Sequence, residues 1–324
     1  MWRRLPAALS LFVLAPLIAE YLLGSMPMSM IAILPVMAAM YGSAAVLIRE
    51  VARRSGRGWP SMILLSVAYG LFEEGFITQS LFNPNYLRLR LLDYGYVSWL
   101  GTGLPWLIYV VSIHVIWSMS VPIGLSEVLF RNKRDQPWLA PVGIGVVSLL
   151  FVTGSALIAA FTYKSLPFMA SPAQFGVTGA VLAALIVAAL FWPRTRLKAG
   201  AERPAPAPFV LLAVSLIAGS AFVTLEHQAQ AWRWPWPLSV AALLLIAAAF
   251  IAFMIIFTRG RAWRDTQRCA LMSGGLLVYG WSGFITDREL HGAADMPAHA
   301  VIAAAFALLL GWAWFVASRP ARTP

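Results

Sequence analysis

Residues 237–257 read PLSVAALLLIAAAFIAFMIIF, twenty-one positions without one charged side chain. A helix rises about 1.5 Å per residue, so a run of roughly 20 apolar residues crosses a hydrocarbon core about 30 Å thick. The stretch predicts a membrane-spanning helix. Working outward, nine further runs of this kind can be marked at 6–24, 28–49, 60–81, 104–130, 138–162, 172–192, 208–226, 269–286 and 297–317. The composition agrees: the 324 residues are 60% hydrophobic and 11% charged, outside the range of a soluble domain. The expected fold is an all-α, polytopic integral membrane bundle of about ten transmembrane helices. The N-terminal MWRRLPAALSLFVLAPLIAEYLLG reads as a retained first helix.

The formal net charge of +11 is explained by where the cations fall. With both termini cytoplasmic, 19 of the 24 basic residues gather on one side, in Arg3/Arg4, Arg49/Arg53/Arg54/Arg57, Arg131/Lys133/Arg134, Arg194/Arg196/Lys198/Arg203, Arg259/Arg261/Arg264/Arg268 and Arg319/Arg322. Arg88, Arg90, Lys164, Arg233 and Arg288 fall opposite. This is the positive-inside asymmetry of a ten-span chain. Basic inner loops beside anionic lipid need no nucleic-acid partner, so the implied partner is the lipid bilayer. Trp2, Trp59, Trp138, Trp192 and Trp263 fall at inner ends and Trp99, Trp106, Trp232, Trp234 and Trp236 at outer ends, as interfacial anchors. The Ala/Arg/Pro-rich composition suits a bacterial cytoplasmic membrane.

Domain organisation follows from PRTRLKAGAERPAPAP at 193–208, a linker without a folding pattern. It divides a block at 1–192, carrying spans 1 to 6, from a block at 208–324, carrying spans 7 to 10, with 193–207 as the cytoplasmic connection. The outer loop from Asn83 to Gly103 is expected to form a short interfacial helix over spans 3 and 4. Pro16, Pro35 and Pro122 lie inside spans and should kink them.

The chemistry-bearing stretch is LFEEGFITQSLFNP at 71–84. A charged side chain near the bilayer centre costs about 2.5–3.5 kcal/mol on insertion scales, so Glu73 and Glu74 mark a functional site. At about 1.5 Å per residue, Glu73 on span 3, His114 on span 4 and Glu20 on span 1 reach similar depths. Spans 3 and 4 are sequential and antiparallel, which makes a Glu/His contact sterically open. Adjacent helical residues diverge by about 100°, so one glutamate is expected to face the site and the other to support it. Tyr69 and Thr78, one turn away, can hydrogen-bond a carboxyl; with Glu20, Asn83 and Ser118 they form the candidate binding set. Asn83-Pro84 also reads as a turn signal. A carboxyl beside an imidazole can activate water or relay a proton; the same residues can also serve only as helix glue.

No cofactor or metal is expected. Cys269 is the single cysteine, so paired-cysteine motifs are ruled out. His227 with Glu226, and His291 and His299 near Asp287, Glu289 and Asp295, lack tight ligand spacing and read as solvated helix ends. Glu127 reads as an ion pair with Arg131, and Glu50 as one with Arg53 and Arg54.

The double glutamate in a membrane helix, followed about 40 residues later by a histidine in the next, resembles the CAAX-protease and bacteriocin-processing family of intramembrane glutamic proteases. The family's first motif is two glutamates, three variable residues and an arginine; here these positions are Glu73, Glu74 and Thr78. Its second motif, a Phe with a His four residues on, maps to Val110 and His114, and no third motif follows span 4. The resemblance implies a metal-independent hydrolase, or a non-proteolytic relative, in which Glu73 or Glu74 activates water for attack on a membrane-embedded peptide with His114 as partner. A proton-coupled permease acting on a small molecule and a structural membrane protein are the alternatives that the residues leave open.

Overall fold

The computed structural model describes residues 5–194, 204–258 and 260–320. Among them are ten helices long and apolar enough to cross a membrane: span 1 Leu5–Leu22, span 2 Met28–Arg54, span 3 Trp59–Ile77, span 4 Leu104–Leu129, span 5 Pro141–Ser165, span 6 Pro172–Phe191, span 7 Pro208–Gln228, span 8 Trp236–Thr258, span 9 Asp265–His291 and span 10 Met296–Ser318. The protein is an all-α polytopic membrane bundle. Several spans open with proline in the first turn, at Pro141, Pro172 and Pro208, where a missing N–H costs nothing.

The spans sort into an inner and an outer set by burial. In spans 1, 2, 3, 4 and 9 half or more of the apolar window is buried, against 6% in span 8 and 11% in span 6. The outer spans turn Leu, Ile, Val and Phe outward, Leu245, Ile256 and Phe191 among them, onto what is the lipid-facing surface of a membrane bundle. Spans 9 and 10 pack on spans 1 and 4. Trp117 of span 4 lies flat on Tyr279 of span 9 at 4.6 Å, and its indole N–H donates to Gly275 O at 2.7 Å. Both blocks flanking the linker therefore contribute to one core. Most of the linker, 195–203, lies outside the described residues; beyond it Ala205 N donates to Ala262 O at 2.9 Å.

The end of the bundle that carries Arg49, Arg53 and Arg54 is closed by a buried ion network that keeps the expected Glu50–Arg54 pair and departs from the other expected pairs. Glu127 accepts from Arg53 Nη2 at 2.6 Å and Arg49 Nε at 3.1 Å, both on span 2, and not from Arg131. Glu50 binds Arg49 and Arg54 and accepts from Trp138 N. Trp138 is not an interfacial anchor: it is buried, with the Arg49 guanidinium 3.4 Å over its ring. A helix-local reading pairs Glu127 one turn away, whereas the bundle brings span 2 against span 4 and satisfies several donors at once.

The outer loop is not an interfacial helix. It holds one tight turn at Tyr86–Arg88 and a hairpin of β1 (Tyr96–Val97) and β2 (Thr102–Gly103). Leu87, Arg88 and Arg90 have φ of 50°, 62° and 51°, a left-handed conformation that no continuous right-handed helix accommodates.

Candidate functional site

The backbone prepares the site before any side chain is considered. Widened π-helical turns interrupt four consecutive spans at Leu17–Leu22, Ala38–Gly42, Glu73–Ile77 and His114–Ser120. Such turns collect at functional sites, and these four carry Glu20, Tyr41, Glu73 with Glu74, and His114 with Ser118. Proline accounts for part of the pattern: the Pro122 ring displaces the carbonyl four residues earlier, at Ser118, inside the last of these turns. Spans 3 and 4 approach closely at Gly70. A Cβ there would lie 3.2 Å from His114 Cβ and 3.4 Å from Val111 Cα, so the missing side chain lets the glutamates one turn on reach His114.

At the centre, His114 Nε2 lies 2.7 Å from Glu74 Oε1 and 3.2 Å from Glu73 Oε2. Both glutamates thus converge on one ring nitrogen, contrary to the 100° divergence expected of an ideal helix, because the turn from Glu73 is widened and each side chain has two methylenes to bend. The two carboxyls also contact each other. All three residues are buried, and one donor atom from each falls within 4.8 Å of the others. Glu74 Oε2 accepts from Thr78 Oγ1 at 3.0 Å and from Ser80 Oγ, which in turn accepts from Trp106 Nε1 at 3.2 Å. Ser118 Oγ holds His114 Nδ1 at 3.1 Å. Glu73 Oε2 differs: it is buried, and its approach to Nε2 does not meet hydrogen-bond geometry. A buried carboxylate oxygen without a hydrogen bond is costly.

Of the other expected residues, Glu20 accepts from Ser25 Oγ at 2.6 Å and lies close to Tyr41. Tyr41 stacks on His114 with ring centres 5.9 Å apart, linking Glu20 to the cluster. Tyr69 does not hydrogen-bond a carboxyl. Its ring meets His114 edge-on at 5.7 Å and its buried hydroxyl makes no hydrogen bond. Asn83 accepts from Asn85 N at 3.0 Å, the turn reading, and does not join the carboxyl network.

Three residues join the site without having been singled out: Tyr41, Ser80 and Tyr86. Tyr86, in the outer loop, borders Thr78; burial pushes its hydroxyl well above the ordinary tyrosine value, and the charges of Glu74, Glu73 and Glu20 add to this. Tyr41 could have been noted as a tyrosine inside an apolar span. Ser80 lies inside the span expected at 60–81 but six residues from Glu74, off its helical face, and Tyr86 lies in the loop, where helical spacing predicts nothing.

At the outer ends of spans 9 and 10 Glu289 is exposed as expected, but Asp287 and His299 are both buried. Asp295 Oδ2 accepts from Met28 N at 2.9 Å, and His291 Nε2 lies 3.1 Å from Ser25 O. These groups tie spans 9 and 10 to the turn after span 1.

No curated protein and no solved structure matches the chain. The model of an uncharacterized membrane protein family matches residues 9–319, and the chain belongs to this family.

Proposed function

We propose that the Glu73/Glu74/His114 cluster is the reactive centre of an intramembrane hydrolase acting on a peptide embedded in the bilayer of a bacterial cytoplasmic membrane. The observation that carries this reading is the 2.7 Å contact between His114 Nε2 and Glu74 Oε1, with a second carboxylate oxygen, Glu73 Oε2, beside it and free of hydrogen bonds. A carboxylate of the pair takes a proton from water as the oxygen adds to the carbonyl carbon. The carbon–nitrogen bond then breaks, and the leaving amine takes a proton from the His114 side of the cluster. The resemblance to glutamic membrane proteases rests on the same residues.

The test compares the membrane fractions of cells producing the wild type or Glu74→Gln, with new protein termini quantified by mass spectrometry. Termini that require the wild type support the hydrolase. Identical profiles at equal protein levels overturn it.

One observation favours a second reading, proton-coupled transport. Tyr41 and Glu20 continue the polar cluster towards Ser25 and His291 at the outer end, an arrangement suited to a relay. Proton flux into liposomes carrying the protein, diminished by Glu20→Gln, supports it; no flux beyond protein-free liposomes removes it.

A further inference from the structure

We propose that Glu73, Glu74 and His114 together bind one divalent transition-metal cation, with zinc the best match to the donors. The inference rests on the hydrolase reading for its purpose, but the binding itself stands on geometry.

The donor set is one imidazole nitrogen and two carboxylate oxygens, a combination that zinc accepts at about 2.0–2.2 Å once the ring has given up its proton. Donors around a tetrahedral ion at that distance lie about 3.3 Å apart. Here His114 Nε2 is 3.2 Å from Glu73 Oε2 and 2.7 Å from Glu74 Oε1, and all three donors lie within 4.8 Å of one another, so side-chain movement of about half an ångström or more opens the site.

Charge argues in the same direction. Two carboxyls in contact inside a membrane need protons or a cation between them, and among the described residues His114 is the one ion-pair partner of either. A dication with a neutral imidazole balances both carboxylates. Glu73 Oε2, 97% buried as part of its residue and aimed at the ring nitrogen, makes no hydrogen bond and has a lone pair to give.

The surroundings support ligation more than simple pairing. Ser118 occupies His114 Nδ1, which fixes the ring and leaves Nε2 for the ion. Thr78 and Ser80 hold Glu74 Oε2, leaving Oε1, whose one partner is His114 Nε2, to share an ion with it. Hydrogen bonds that orient ligands in this way commonly set metal affinity. Three protein ligands leave a fourth position for water, as in catalytic zinc sites.

The experiment uses the full chain purified through a tag without histidine, stripped with a chelator, then loaded with Zn²⁺ or Co²⁺ and passed over a sizing column. Elemental analysis is expected to give one metal per chain, and the Co²⁺ form a visible absorption band of tetrahedral type. Glu73→Gln and His114→Ala should lose both signals, while His227→Ala, remote from the cluster, keeps them. Ser118→Ala, which leaves the ligands in place, should weaken binding about 10-fold or more and guards against variants that fail to fold. Wild type with well under one metal per chain, or equal loading of Glu73→Gln and His114→Ala, overturns the proposal. Stoichiometric binding without hydrolysis supports the metal site and counts against the hydrolase reading.

Discussion

His114 Nε2 and Glu74 Oε1 stand 2.7 Å apart although 40 residues separate them in the chain. The contact joins spans 3 and 4 at the place where both helices widen, and every other polar group of the cluster is arranged around it. Glu74→Gln keeps shape and removes charge. Its cost in detergent thermal unfolding should be modest, about 1 kcal/mol, the scale of interhelical polar contacts in membranes. Activity should fall by about 100-fold or more, the usual scale of a lost acid–base group. Parallel unfolding and turnover measurements separate the two effects.

Gly70 sets the distance between those spans. Gly70→Val would push a branched side chain against His114 Cβ and Val111. Overpacking of this kind costs about 1–3 kcal/mol, and here it should also disconnect His114 from Glu74. A reporter is the exchange behaviour of the His114 ring proton by NMR: broadened or lost in Gly70→Val, retained in Gly143→Ala at the start of span 5.

The ten spans were legible because each is a long apolar run, and every boundary marked from sequence lies within six residues of the helix end observed. Thr78 and Ser118 were legible because one helical turn places them beside Glu74 and His114. What escaped depended on departures from ideal helices or on packing between spans. The convergence of Glu73 and Glu74 follows from a widened turn. Ser80 reaches Glu74 only after Gln79 takes φ of 56° and ends the helix. Glu127 finds Arg49 and Arg53 because span 2 lies against span 4, a neighbour relation no single-helix spacing contains.

The network at the inner end should behave as a structural lock. Arg49 is wholly buried, donates to Glu50 and Glu127, and covers Trp138. Arg49→Ala leaves two carboxylates without that partner and should cost about 3–5 kcal/mol. Arg49→Lys should recover little of it, because an ammonium cannot reproduce the guanidinium fork or its stacking. Thermal unfolding of both variants in one detergent checks the ranking.

Trp117 ties span 4 to span 9. Trp117→Phe preserves an aromatic face against Tyr279 but removes the indole N–H bond to the Gly275 carbonyl. The expected loss is about 0.5–1.5 kcal/mol, the net worth of one hydrogen bond, read as a lowered denaturation midpoint.

The sole cysteine, Cys269, is buried, which makes orientation directly measurable. In a Cys269→Ala background, a cysteine replacing Trp99, 82% exposed in the outer hairpin, should react with an impermeant thiol reagent added to intact cells. A cysteine replacing Asn132 should react only after the membrane is opened.

The central claim is tested most directly with the purified protein in lipid nanodiscs, a library of membrane-spanning peptides and heavy-oxygen water. Hydrolysis places one heavy oxygen in each new terminal carboxyl, and the account predicts such products from the wild type and their loss in Glu73→Gln, Glu74→Gln and His114→Ala. Products formed equally by wild type and all three variants, or by none of them, would contradict it.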